Sequence, residues 1–183
     1  NITLKNGLNI PLLTEYLAMD NNQLTNPTSK QDCELRAFER LSEKLKNHFP
    51  RLKIILFMDA LYATQSVMGL SHQYGWEYMI KLPKNKLKHL AERINAERKN
   101  KQIVHDAPYY RGRRQEFYWV NNIEYGYDWQ LSIALVACLE RREELNKSTG
   151  EIEVNYSEHT WISSMALSID NVYEMCNLGA RKK

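Results

Sequence analysis

The sequence predicts an α/β fold with a mixed sheet, flanking helices and a β-rich insertion, on three observations. First, an unbroken apolar run, Ile54 to Met58, ends at a single carboxylate, Asp59. Second, a helical segment from Ala63 to Tyr74 stops at Gly75, and Trp76, Tyr78, Ile80 and Leu82 then alternate with Glu77, Met79 and Lys81 as far as Pro83. Third, beyond residue 103 the apolar spacing changes from helical to strand-like. A short apolar run of this kind reads as a strand buried on both faces, as in a parallel sheet. Glycine just past a periodic segment is a helix stop. A crossover of this length makes the two strands parallel.

Asp59 is the leading site candidate because open α/β sheets do their chemistry outside the carboxyl ends of the strands. The competing reading is an N-cap, a common role for aspartate between a strand and a helix. Tyr62, three residues on, either packs beneath the helix start or meets a nucleic-acid backbone.

The other elements follow in order. Ile2 to Lys5 and Ile10 to Leu17, separated by Asn6-Gly7, predict a hairpin. The opening directly in a strand is read as a truncation. Residues 20–29 read as a polar loop. Ser29 to Asp32 resembles a capping box, and Leu35, Phe38, Leu41 and Leu45 keep helical spacing to His48, before Pro50. The opposite face, with Arg36, Glu39, Arg40, Glu43 and Lys44, reads as solvated. After Pro83, Leu87, Leu90, Ala91 and Ile94 mark a further helix. Strands are then expected at Phe117 to Val120, Ile123 to Tyr127, Leu131 to Leu139 and Ile152 to Trp161. Turns are expected at Asn121-Asn122 and from Asn146 to Gly150. Ser168 to Leu178 returns to helical spacing, with Ser168 or Asp170 as its cap.

At 183 residues the chain is long enough for one well-cored domain. No run reaches the roughly 18 apolar residues of a membrane helix, and no membrane partner is expected. Cys33, Cys138 and Cys176 have no metal-ligand spacing and suit buried thiols in a reducing cytoplasm. The net charge of +3 is uneven. Between Lys81 and Arg114 there are 11 Lys or Arg against 3 acids, a net of +8 that leaves −5 for the rest. Such a block points to a polyanion, against the plainer reading of a solvated helix face and loop. Lys81, Lys84, Lys86 and Lys88 lie just past a strand end on the Asp59 side, as phosphate contacts would. Arg111, Arg113 and Arg114 stand beside Tyr109 and Tyr110, which couples bidentate donors to stacking surfaces. The five histidines are scattered, Ser163 and Ser164 lack a triad signature, and no nucleotide-binding loop is present. Trp119, Trp129 and Trp161 read as core.

Four stretches, in this order, resemble the catalytic domain of DDE-type insertion-sequence transposases. They are Lys30-Gln31-Asp32-Cys33-Glu34, Phe57-Met58-Asp59-Ala60-Leu61-Tyr62-Ala63, Trp161-Ile162-Ser163-Ser164, and Asn171-Val172-Tyr173-Glu174-Met175-Cys176-Asn177-Leu178-Gly179-Ala180-Arg181. The resemblance implies a ribonuclease-H-like core over 1–102, a β-rich insertion over 103–164 and a return to the core over 165–183. It implies DNA as partner, a homodimer within a DNA complex, Mg²⁺ or Mn²⁺ as cofactor and a cytoplasmic, nucleoid-associated location. Asp59 matches the second acid of the triad. The first acid is expected on a strand before Ile2 and the third, a glutamate, beyond Lys183. Asp32, Asp170 and Glu174 do not match these positions. Two-metal phosphoryl transfer needs several converging carboxylates, so this chain is expected to be inactive alone. The alternative is a non-catalytic, transposase-derived DNA-binding or interaction domain, and a different ribonuclease-H-like nuclease is a third reading.

Overall fold

The structure, a computed structural model, describes residues 2–3, 9–17, 27–82, 102–110, 112–125 and 131–178. The third expected helix, Trp129, Cys33, Lys84, Lys86, Lys88 and Arg111 lie outside the described residues or their side chains. The chain divides into two compact units, Asn1–Ile54 and Ile55–Lys183.

In the first unit, β1 (Ile2–Thr3) and β2 (Asn9–Ile10) pair antiparallel, Ile2 opposite Ile10, as the Asn-Gly signal predicts. The second strand is shorter than expected, since residues 11–17 are irregular. Helix α1 spans Pro27–His48. It starts two residues before the expected capping box, because proline is favoured in a first helical turn, where its missing N–H costs nothing. Its polar face is not simply solvated. Arg40 Nε and Lys44 Nζ, one turn apart, donate to Glu15 Oε1 at 2.8 Å and Oε2 at 2.6 Å. Those bonds, Lys44 first and then Arg40, hold the Glu15 carboxyl below the ordinary carboxylate range.

The second unit is built on one six-stranded mixed sheet. Its order is β3 (Ile55–Met58), β4 (Glu77–Leu82), β8 (Ile152–Ser163), β7 (Leu131–Leu145), β6 (Arg113–Tyr125) and β5 (Gln102–Tyr110). β3 and β4 are parallel, joined by the 3₁₀ turn Ala60–Tyr62 and helix α2 (Gln65–Tyr74), so the predicted strand–helix–strand unit is present. Thr64 caps α2, its hydroxyl accepting from Val67 N, and Gly75 closes it in the left-handed conformation at φ 68°. A side chain is strained at that φ, and glycine is not. The other neighbours, β4–β8–β7–β6–β5, all run antiparallel. The strands of the expected insertion therefore share one sheet with β3 and β4.

Two expectations about strands change. β3 is the end strand of the six, and only Met58 is buried while Ile55 is exposed. Burial on both faces belongs instead to β4 and β7, which have strands on either side: Tyr78, Met79 and Ile80 are buried in the first, and Ile133 to Cys138 in the second. Burial also pushes the Tyr78 phenol well above its ordinary value, with the charge of Glu77 adding to the effect.

Asn121-Asn122 is not a turn. β6 runs straight through it with a register shift between Val120 and Ile123, and Asn122 takes φ 58°. The shift frees the Asn121 amide to clamp Leu167, donating to its carbonyl at 2.8 Å and accepting from its N–H at 2.9 Å. The expected Asn146–Gly150 turn is there, with Asn146 Oδ1 accepting from Ser148 N at 2.9 Å. Helix α3 (Val172–Leu178) follows a turn in which Asn171 Oδ1 accepts from Ser168 N. Val172 and Cys176 of α3 join Leu167 against Phe117, Trp119, Val136, Cys138 and Trp161, the main core. Trp119, Trp161, Cys138 and Cys176 are thus the core residues they were read to be.

Candidate functional site

Asp59 leaves β3 with extended backbone, φ −82° and ψ −179°, and an exposed side chain. Its Oδ1 accepts from Leu61 N at 2.9 Å and so caps the 3₁₀ turn. The capping role and the strand-end position therefore hold together. Met58 lies opposite Ile80 in the parallel pair, which sets Asp59 level with Lys81 at the carboxyl ends of both strands. Half-buried Tyr62 sits in the same turn, its N–H donating to Asp59 O at 3.2 Å.

Lys81 faces Trp161 of β8, and Trp161 faces Val136 of β7. From that level β8 extends back from 161 to 152 and β7 onward from 136 to 145. At roughly 3.3 Å per residue the hairpin projects about 30 Å past the Asp59 level.

A buried polar network lies on this projecting side, and the sequence reading did not find it. Glu140 is 1% exposed. Its Oε1 accepts from Gln115 Nε2 at 2.7 Å and its Oε2 from Arg113 Nη1 at 2.9 Å, with Ser157 Oγ at 3.4 Å. His159 Nε2 is 3.3 Å from the same Oε2. Lys81 Nζ approaches His159 Nδ1 at 3.3 Å. An ammonium can only donate, so Nδ1 accepts and Nε2–H points to the carboxylate. Gln115 and Asn177 of α3 exchange amide bonds at 3.0 and 3.1 Å, which ties the helix to the network. The strand register assembles these groups. Glu140 is opposite both Gln115 and Ser157, and His159 is opposite Cys138 one pleat away.

The predicted residues therefore separate. Asp59 and Lys81 stand level at one sheet end, with Lys81 Nζ at His159. Arg113 has its guanidinium on Glu140, with its side chain 34% exposed. Arg114 points to the opposite face by strand alternation and lies across from Arg141, which itself bonds Glu143 at 2.7 Å. Among the described residues no three His, Cys, Asp or Glu side chains gather closely enough to hold a metal ion. Asp59 brings one carboxylate, with one oxygen already on an amide, and that donor set does not fit a two-ion centre. Local sequence gave little sign of the Glu140 network, because Leu139 to Leu145 reads as a charged strand end in which Glu140 looks like its exposed neighbours. Comparison of the chain with protein families, curated proteins and solved structures finds no match.

Proposed function

We propose that this chain is part of the catalytic domain of a DDE-type insertion-sequence transposase, ribonuclease-H-like in fold, with Asp59 as the second acid of its triad. The four sequence stretches carry the resemblance. One observation supports it: an exposed carboxylate ends β3 level with Lys81 on the adjacent parallel strand. Open α/β sheets bind ligands outside the carboxyl ends of their strands, where an ammonium can pair with a phosphate. The parent protein would use Mg²⁺ or Mn²⁺ to cleave and join DNA ends. With Asp59 the one acid matched to the triad and no metal-holding cluster among the described residues, no step through a metal is derived, and the chain alone is expected to bind DNA without cutting it.

A second reading, a non-catalytic DNA-binding or interaction domain, is favoured by the use of Asp59 Oδ1 as a cap. Duplex titrations at low and moderate salt, with and without Mn²⁺, on this chain and Asp59→Ala, test both. Binding is expected to fall steeply with salt, as phosphate contacts require. Metal-enhanced binding or nicking that disappears in Asp59→Ala overturns the expected inactivity and supports the catalytic reading. Binding indifferent to both fits a catalytic fragment with an incomplete centre as well as the non-catalytic domain, and no binding at low salt removes DNA as partner from either.

A further inference from the structure

We propose that the outer half of the β7–β8 hairpin is a self-association edge, on which β8 of one copy pairs antiparallel with β8 of a second copy. β8 pairs with β4 only through Thr160 to Ser163, so Ile152 to His159 run on past the last β4 partner among the described residues. Residues 151–158 are all exposed. On one face of this stretch stand Ile152 at 69%, Val154 at 39% and Tyr156 at 76% exposure, with Leu145, opposite Ile152 on β7, at 65%. Natural edge strands are usually blunted by Lys, Pro or bulges. Residues 152–157, Ile-Glu-Val-Asn-Tyr-Ser, contain neither Lys nor Pro.

Charge selects the class of partner. From Glu140 to Glu158 there are six glutamates against Arg141, Arg142 and Lys147. A net negative arm repels a nucleic acid and suits a protein strand. Register then selects a second copy. A two-fold axis at Val154 sets Val154 against its own mate, Ile152 against Tyr156 and Glu153 against Asn155. All three apolar side chains then meet apolar partners, and no glutamate faces a glutamate. Shifting the axis to Glu153 opposes two carboxylates, and shifting it to Asn155 sets Ile152 against Glu158. The strand is thus complementary to itself in one register, as an isologous interface requires.

The test is the mass of the full chain in solution, by sedimentation or light scattering, from about micromolar to about 0.1 mM. A dimer is expected. Val154→Lys and Val154→Glu, each opposing like charges across the axis, should each weaken it by about tenfold or more, and mixing the two should restore it. Val154→Cys provides a check independent of those charges. Its thiols would meet at the axis, at the cross-strand spacing a disulfide tolerates, so oxidation should give a covalent dimer where Ser148→Cys gives none. A monomer throughout the range, a dimer indifferent to Val154→Lys, a mixture that stays monomeric, or equal cross-linking of both cysteine variants would each overturn the proposal.

Discussion

Asp59 and Glu140 are two carboxylates toward the same end of one sheet, and their surroundings differ in almost every respect. Asp59 is exposed, one residue past an end strand, and its carboxylate serves one amide. Glu140 is 1% exposed on the central strand β7 and gathers Gln115, Arg113, Ser157 and His159 from the strands on either side. A carboxylate in water is already solvated and remains available to a ligand. A buried one survives only if protein donors replace that water, and those donors are then committed. Exposure at a strand end therefore marks Asp59 as the acid open to a ligand, while Glu140 holds strands and α3 together.

The sharpest break of this contrast is Glu140→Ala. It leaves one N–H of the buried Gln115 amide without its acceptor and removes the carboxylate beneath Arg113 and His159. Denaturant unfolding of the second unit should show a loss of about 3 kcal/mol or more. A loss no larger than that of a surface substitution would mean the network contributes nothing to stability. Asn177→Ala removes one arm of the same network, the amide pair that fixes α3 to β6. A loss of about 1–2 kcal/mol is expected, with α3 amides exchanging faster than those of β7; uniform exchange would mean α3 is held by its apolar face alone. The smallest effect belongs to Asp59→Ala, about 0.5–1 kcal/mol in thermal or urea unfolding, the size of a lost cap. Asp59→Asn, which keeps the cap acceptor, should recover most of that stability without restoring the charge. A stability cost at Asp59 rivalling that at Glu140 would erase the distinction between the two acids.

The parallel β3–α2–β4 unit was legible because each of its parts is local: an apolar run, a capped helix, Gly75 and a β-rich strand. The antiparallel strands β6 to β8 were legible for similar reasons, with β6 read as two strands, but β5 (Gln102–Tyr110) was not singled out. Asn121-Asn122 misled because two asparagines between apolar runs signal a turn, whereas here a contact 46 residues away, at Leu167, makes them a bulge. β3 misled too. Its apolar composition suits burial on both faces, but composition does not say whether a strand ends a sheet or lies within it. Of the predicted contacts, Lys81 stands level with Asp59, whereas Arg113 is tied to an acid 27 residues away.

The sequence by itself determined the order of most helices and strands, that an α/β sheet forms, and that Asp59 stands at a strand's carboxyl end. These follow from period, capping and turn chemistry, which act over a few residues. Only the tertiary structure decided which strands lie inside the sheet, that Glu140 rather than any neighbouring glutamate is buried, and that Arg113, Gln115, Ser157, His159 and Asn177 converge on its network. That choice depends on strand register. A shift of one residue turns every side chain to the other face, and register is set by pairing between segments far apart in the chain.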